Sequence, residues 1–154
     1  MADGLTRDGA DVVLSGGPDD GPLLAEVRAN MAGPPPPVLS AQPLGVVAAV
    51  LRRCALACGP DGGVLHLAAA LGVPTVRLFG PAPPGVFGPW PPRADQRVLI
   101  TRSLACVPCG HLVDPPCGAT RLPACMLALT ADEVLAAARQ VLCATSGPTI
   151  GIGH

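Results

Sequence analysis

Short apolar runs alternate with helical patterns along this chain. Four apolar segments bounded by glycine or proline are typical of buried strands, and they span residues 11–15, 38–39, 54–58 and 75–79. Between them, apolar residues recur at helical spacing over 22–31, 44–51 and 64–71. This strand-helix order predicts an α/β fold with a parallel sheet and helices on both of its faces.

The last part of the chain predicts a loop, one strand and one helix. Residues 80–97 are rich in proline and favour a structured loop, whereas 98–100 is a candidate last strand. Thr130 and Glu133 match a capping box at the start of a helix over 130–142. Its predicted buried residues are Val134, Leu135, Ala138, Val141 and Leu142. We expect one domain over 1–143, including a cysteine-bearing loop over 103–129, and a flexible tail over 144–154.

Composition narrows the class of protein. The chain has 154 residues, 49% of them hydrophobic and only 14% charged, which favours a folded domain over disorder. Its basic residues are ten arginines with no lysine, and this argues against a nucleic-acid partner. No transmembrane or secretory segment is visible. Seven cysteines without an export signal indicate a reducing compartment, and we expect a cytoplasmic protein.

The segment 58–66, Cys-Gly-Pro-Asp-Gly-Gly-Val-Leu-His, carries the sharpest candidate chemistry. It joins a predicted strand to a predicted helix at the carboxyl edge of the sheet, where ligands bind in such folds. Gly62 and Gly63 would let backbone N–H groups approach an anion at the positive end of the helix. A diphosphate fits this description, with Asp61 capping the helix or accepting sugar hydroxyls and His66 donating to a phosphate oxygen. The alternative is an ordinary capping turn with a core-facing histidine.

Longer segments of the chain resemble one family. The stretch CGPDGGVLHLAAALGVPTVRLFGPAPPGVFGPW is similar to the signature of the ADP-heptose:lipopolysaccharide heptosyltransferases, which are bacterial inverting GT-B glycosyltransferases. VVLSGGPDD resembles the family's strand and Gly-Gly-Pro-x-Glu turn, and CVPCGHLVDPPCGATRLPACMLALTADEVLAAARQVL resembles its cysteine-bearing segment and closing helix. The similarity covers about residues 8–143. It implies a Rossmann-like domain that forms one half of a GT-B fold.

The resemblance assigns roles residue by residue. It implies that Asp61, Gly62, Gly63 and His66 lie beside the diphosphate and sugar of the donor. Gly62 stands where the family usually has Thr or Ser, so one hydroxyl contact to phosphate is lost. Asp20 stands where the family usually has a Glu near the nucleoside ribose, and Gln42 where backbone atoms border the base.

The same resemblance concerns only the carboxyl-terminal, donor-binding domain. The family's other domain holds the lipopolysaccharide acceptor site and the carboxylate base. From the resemblance we also expect that the first strand of the donor-binding domain is cut off and that the chain starts inside a helix. We therefore expect ADP-heptose binding without turnover, no catalytic residue in this chain and no metal cofactor. The expected localisation is cytoplasmic. The alternative is peripheral association with the inner face of the inner membrane.

Four cysteines suggest a metal site as an alternative. Cys106-x-x-Cys109 is followed by Cys117 and Cys125, and four thiols in a loop can form a zinc site. The second half lacks zinc-ribbon spacing, although His111 could serve as a ligand, and an iron–sulfur cluster is less supported. The competing interpretation is reduced thiols that pack the loop. The remaining cysteines, Cys54, Cys58 and Cys143, are interpreted as small buried hydrophobes.

Two further residues and two other function classes complete the predictions. Arg77 interrupts the strand 75–79 and is interpreted as a charge at the edge or end of the sheet, with a ligand-facing role as the alternative. Trp90 is either a loop anchor or a cover for a bound sugar. The chain could also be a truncated, non-catalytic module whose exposed apolar face is covered by a partner chain or a dimer. A metal-binding module formed by residues 103–129 is the third class.

Overall fold

Helices and strands alternate along the chain in the computed structural model, which describes residues 1–113, 115–118 and 123–145. The strand pairs in these ranges are parallel, which confirms the α/β class. Contacts divide the chain into two units, Met1–Val50 and Leu51–His154. The single domain over 1–143 stays a prediction.

The first unit contains a two-stranded parallel sheet. Strand β1 (Leu14–Gly16) pairs with β2 (Val38–Ser40). The helices of this part of the chain are α1 (Ala2–Arg7), α2 (Gly21–Ala29) and α3 (Leu44–Leu51). A Cβ atom on Gly16 would lie 2.9 Å from Cδ1 of Leu24, so this glycine permits the close approach of α2 to the end of β1.

The second unit is built on a three-stranded parallel sheet. Its strands are β3 (Ala57–Pro60), β4 (Thr75–Phe79) and β5 (Gln96–Ile100), with β4 in the centre. The helices are α4 (Gly63–Ala70), α5 (Pro84–Phe87), α6 (Ala124–Leu127) and α7 (Ala131–Thr145). Helix α4 packs against β3 and β4, and α7 against β4 and β5. The central strand is therefore the most enclosed part of this unit, and Val76 and Phe79 are fully buried.

Several predicted boundaries shift in the structure. The strand predicted over 54–58 begins at Ala57, because α3 runs to Leu51 and the chain turns before it enters the sheet. The loop 80–97 contains α5 and contributes its last two residues to β5, and the cysteine-bearing loop contains α6. Helix α7 reaches Thr145, so the first two residues of the predicted tail are helical, while 146–154 lie outside the described residues.

The capping box at the start of α7 is confirmed. The hydroxyl of Thr130 accepts from the N–H of Glu133 at 3.2 Å, and the carboxylate of Glu133 accepts from the N–H and hydroxyl of Thr130 at 2.8 Å each. These donors lower the pKa of Glu133.

None of the helices in the described part of the chain has the length and apolar character that crossing a bilayer requires.

Candidate functional site

The turn between β3 and α4 forms the candidate site. The N–H of Asp61 donates to the carbonyl of Leu78 at 3.0 Å, which carries the strand pairing to the very end of β3. Gly62 is the N-cap of α4, and the helix begins at Gly63. The first N–H groups of a helix have no acceptor within it and lie at its positive end. This turn therefore presents backbone donors and a positive helix end at the carboxyl edge of the sheet.

Neither glycine of the turn is required by the backbone. Gly62 has an extended conformation, with φ 173°, and a Cβ atom there would come only within 3.9 Å of the carbonyl oxygen of Pro60. A Cβ atom on Gly63 would meet nothing within 4 Å. Gly63 is also exposed. Because neither glycine has a Cβ atom, open space remains above the backbone amides, and an anion needs this space in order to reach them.

Arg77 lies beneath this turn, at the centre of β4, with no exposed surface. One terminal nitrogen, Nη2, donates to the carbonyl of Leu65 at 2.8 Å. The other, Nη1, lies 3.4 Å from Oδ1 of Asp61 and 3.3 Å from Nδ1 of His66. The prediction of a charge at the edge or end of the sheet is wrong, because β4 is the central strand and the guanidinium turns inward to bind the start of α4.

The electrostatics of Arg77 combine two opposing effects. Burial lowers its pKa, whereas the adjacent Asp61 carboxylate raises it, and the net direction is down. An arginine nevertheless keeps its proton in a protein, so the group remains a buried cation. Its Nε atom is buried without a hydrogen-bond partner in the described part of the chain. The guanidinium is therefore desolvated and incompletely satisfied, whereas 15% of the side chain of its partner Asp61 is exposed.

Asp61 and His66 meet above the buried arginine. Nε2 of His66 lies 3.6 Å from Oδ1 of Asp61, with 48% of the histidine side chain and 15% of the aspartate side chain exposed. Asp61 does not cap α4, since Gly62 occupies the N-cap position and the carboxylate faces Arg77 and His66. The alternative of a core-facing histidine is also wrong. The structure thus brings together Asp61, Gly62, Gly63 and His66. It adds Arg77, and the sequence signal for this residue is that it is the one charged residue within the apolar segment 75–79.

The other two predicted site residues lie in the first unit. Asp20 precedes α2 and is exposed, and its Oδ2 accepts from the N–H of Gly17 at 2.7 Å. Gln42 is exposed as well, and its Nε2 donates to the carbonyl of Ser40 at 3.2 Å. Both follow the carboxyl ends of the paired strands β1 and β2. They therefore share one edge of that two-stranded sheet, with side chains accessible to a ligand.

The cysteines show no metal-binding arrangement in the residues that the structure describes. All seven are free of disulfide bonds, and no group of three or more His, Cys, Asp or Glu in the described ranges could hold a metal ion. Cys106 and Cys117 are exposed, Cys109 is half-buried and Cys125 is buried beneath Gly80. Cys143 is exposed, so its interpretation as a buried hydrophobe is wrong.

Comparison with known proteins identifies similar sequences. Residues 1–115 match the family model of glycosyltransferase family 9, described as heptosyltransferase. Over 73 residues the chain is 40% identical to lipopolysaccharide heptosyltransferase 1 of Pseudomonas aeruginosa. That match covers 47% of this chain and 19% of the relative.

Two solved structures have a similar fold. A glycosyltransferase family 9 protein from Veillonella parvula superposes with a TM-score of 0.75 at 28% identity. The ADP-heptose lipopolysaccharide heptosyltransferase II of E. coli superposes with a TM-score of 0.72 at 22% identity, which supports the fold alone. Each comparison covers 93% of this chain and 39% of the other one. The chain thus spans about two fifths of the length of these relatives.

Proposed function

Because the chain belongs to glycosyltransferase family 9, the heptosyltransferases, we propose that it binds a nucleoside diphosphate sugar, ADP-heptose, at the start of α4. The observation that carries this proposal is the open Gly62-Gly63 turn, whose amides stand at a helix N-terminus beside the half-exposed His66. The bound diphosphate would accept hydrogen bonds from these amides and from the imidazole.

The site suits a reaction in which the diphosphate leaves. The family chemistry is displacement at the anomeric carbon of the donor sugar with inversion, and negative charge grows on the departing diphosphate. Fixed N–H donors and a positive helix end stabilise such developing charge without reorganising. These groups, rather than a metal cofactor, would stabilise the leaving group in this chain.

The family resemblance assigns Asp20 and Gln42 to the nucleoside end of the donor. Asp20 would accept hydrogen bonds from ribose hydroxyls, since its carboxylate is exposed and already held by the N–H of Gly17. Gln42 would border the base. These roles rest on the family pattern together with the exposure of both side chains at one sheet edge.

Turnover is expected to need more than these residues. The chain spans 39% of each solved relative, and the acceptor site and general base are expected in the rest of a full-length enzyme. We therefore propose that this chain binds donor and that transfer to a lipopolysaccharide core, at the cytoplasmic side of the inner membrane, requires the complementary domain.

Titration with ADP by calorimetry tests the proposal. We expect saturable binding to the purified chain that is weakened roughly tenfold by His66→Ala, since hydrogen bonds to charged groups contribute about 1.5–3 kcal/mol. The matched control is His111→Ala, which removes an exposed imidazole from a different segment of the second unit. AMP should bind more weakly than ADP, and EDTA should leave ADP binding unchanged. Absence of binding by a folded sample at millimolar ADP would contradict the proposal.

A further inference from the structure

The contact between Arg77 and His66 defines which histidine nitrogen carries the proton. Nη1 of Arg77 lies 3.3 Å from Nδ1 of His66. A guanidinium has only donors, so the Nδ1 atom in this contact must be the acceptor. In a neutral imidazole the other nitrogen then carries the hydrogen. The contact therefore selects the tautomer of His66 with its N–H at Nε2.

That N–H is available for a ligand. Its neighbour Oδ1 of Asp61 lies 3.6 Å away, which is longer than a hydrogen bond, and about half of the ring is exposed. The same Oδ1 atom lies 3.4 Å from Nη1 of Arg77. The arginine thus contacts both side chains above it, and the Nε2 edge of the ring faces Asp61, the residue that precedes the two glycines.

We infer that Arg77 is a positioning residue of the donor site: it holds His66 in the Nε2–H tautomer and orients it to donate to the diphosphate. This inference rests on the proposed function, since the diphosphate is the group that His66 meets there. Arg77 itself, with no exposed surface, does not touch the ligand.

The placement of the arginine supports a role in the site. Among the described residues, the hydrogen-bonding contacts of its side chain are with Asp61, Leu65 and His66, which lie in the turn and the first part of α4. Its Nε has no partner in the described part of the chain, so burying this guanidinium costs free energy that its hydrogen bonds do not fully offset. A buried cation that is imperfectly paired but contacts three groups of one turn serves the geometry of that turn.

A double-mutant cycle in ADP affinity separates positioning from a general structural effect. Arg77→Met should weaken ADP binding roughly tenfold when His66 is present, the effect of losing one oriented hydrogen bond to a charged group. In the His66→Ala background the same substitution should change ADP binding less than about twofold. An equal loss in both backgrounds would overturn the inference.

A matched control comes from the same strand. Thr75 is buried two residues before Arg77, and its hydroxyl has no hydrogen-bond partner in the described part of the chain. Thr75→Val therefore alters a buried polar group of β4 without touching the turn, and ADP affinity should stay within about twofold of the unmodified chain. A loss comparable to that of Arg77→Met would show that any change in β4 disturbs the site, and would count against the inference.

A spectroscopic readout without ligand keeps this inference distinct from the proposed function. Long-range ¹H–¹⁵N spectra of the ADP-free chain, recorded where the imidazoles are neutral, should show an unprotonated Nδ1 and a protonated Nε2 for His66. His66→Gln identifies its signals among the three histidines. Arg77→Met should shift the Nδ1 resonance, whereas Thr75→Val should not. A protonated Nδ1 in the unmodified chain would overturn the inference even if ADP binds. Failure of ADP to bind would contradict the proposed function and the donor-site role of Arg77, but not the tautomer that Arg77 selects.

Discussion

The carboxylate of Asp61 is the ion-pair partner of a buried cation, the guanidinium of Arg77. Asp61 lies between a fully buried arginine and a half-exposed histidine, so its charge serves the protein as well as any ligand. Removing one member of a buried ion pair leaves the other uncompensated in a low-dielectric environment. Loss of ADP binding in an Asp61 variant would therefore be ambiguous, whereas the exposed His66 offers a cleaner test.

Asp61→Asn should be strongly destabilising. The substitution keeps the shape of the side chain but strands the Arg77 charge, and we expect the free energy of unfolding to fall by about 3 kcal/mol. Urea denaturation of the single variant and of the double variant Asp61→Asn/Arg77→Met measures this. The double variant should recover most of the loss, because the buried charge is then gone. Additive losses in the double variant would contradict this account.

The glycine turn could be predicted from the sequence, but the buried arginine beneath it could not. Glycines between a strand and a helix are visible in the sequence, so Asp61, Gly62, Gly63 and His66 could be grouped by position. The placement of Arg77 depends on strand order, since β4 becomes central only when β5 pairs on its other side. A charged residue in a short strand favours an edge position when no such pairing is known.

At the scale of elements, substitutions at the start of α4 can change the stability of the helix and the affinity for ADP separately. Gly62→Ser should raise the free energy of unfolding by a few tenths of a kcal/mol, since serine is the better N-cap and the site has room for its Cβ. It should also strengthen ADP binding, because a hydroxyl is added where the family usually carries one. Denaturation and calorimetry on the same sample measure both effects. A variant that is more stable but binds ADP no better would show that this hydroxyl does not reach the phosphate.

Gly63→Ala is the opposite case at the adjacent residue. Alanine favours a helix over glycine, and its methyl group would meet nothing within 4 Å, so the fold should be kept or slightly stabilised. The same methyl group would occupy the open space above the amides, and ADP binding should weaken. Calorimetry against the unmodified chain measures the change. Unaltered affinity would mean that the diphosphate does not approach the backbone at this residue.

The capping box of α7 makes the free energy of unfolding depend on pH in the acidic range. The pKa of Glu133 is lowered in the folded chain by donors from Thr130, so its ionised form stabilises the fold above its ordinary pKa of about 4.5. This contribution should disappear as the pH falls through the lowered value. Urea denaturation at pH 7 and at pH 3 should show a smaller loss on acidification for Glu133→Gln than for the unmodified chain. Identical losses would contradict the assignment.

The elements themselves were predictable where periodicity was strong. Helices α3, α4 and α7 and strand β4 lie within a few residues of their predicted positions, because apolar spacing and flanking glycine or proline define them. The segment 54–58 was less well placed, since an apolar run does not show where a helix end gives way to a strand. The short helices α5 and α6 lie in proline-bearing loops and have too few residues to show a period.

At the scale of the whole molecule, the thiols should differ widely in reactivity. Burial raises the pKa of Cys58 to about 11 and also raises the pKa of Cys125. Because the thiolate is the nucleophile, iodoacetamide at pH 8 should alkylate the exposed Cys106, Cys117 and Cys143 before these two. Peptide mapping by mass spectrometry measures the order. Early modification of Cys58 would show that β3 is more accessible than described.

The family itself was predictable because its pattern extends over most of the chain. The family model matches residues 1–115, in agreement with the resemblance read from the glycine turn and the Phe-Gly-Pro segment. The division into two units at residue 50 was not predicted, since the strand-helix alternation continues through it without a change in composition. A continuous alternation of strands and helices indicates the fold class, but it does not show where the chain divides into units.

The pairing of Asp61 with Arg77 also restricts the order in which this sequence can diverge. A lineage that replaces Asp61 first must pass through a form with a stranded cation, whereas one that replaces Arg77 first leaves a carboxylate near the surface, where water can reach it. Substitution at 77 should therefore come before substitution at 61 along a viable path. The two positions therefore tolerate substitution in one order only. An aligned set of relatives should contain Asp61 without Arg77 far more often than Arg77 without an acidic residue at 61.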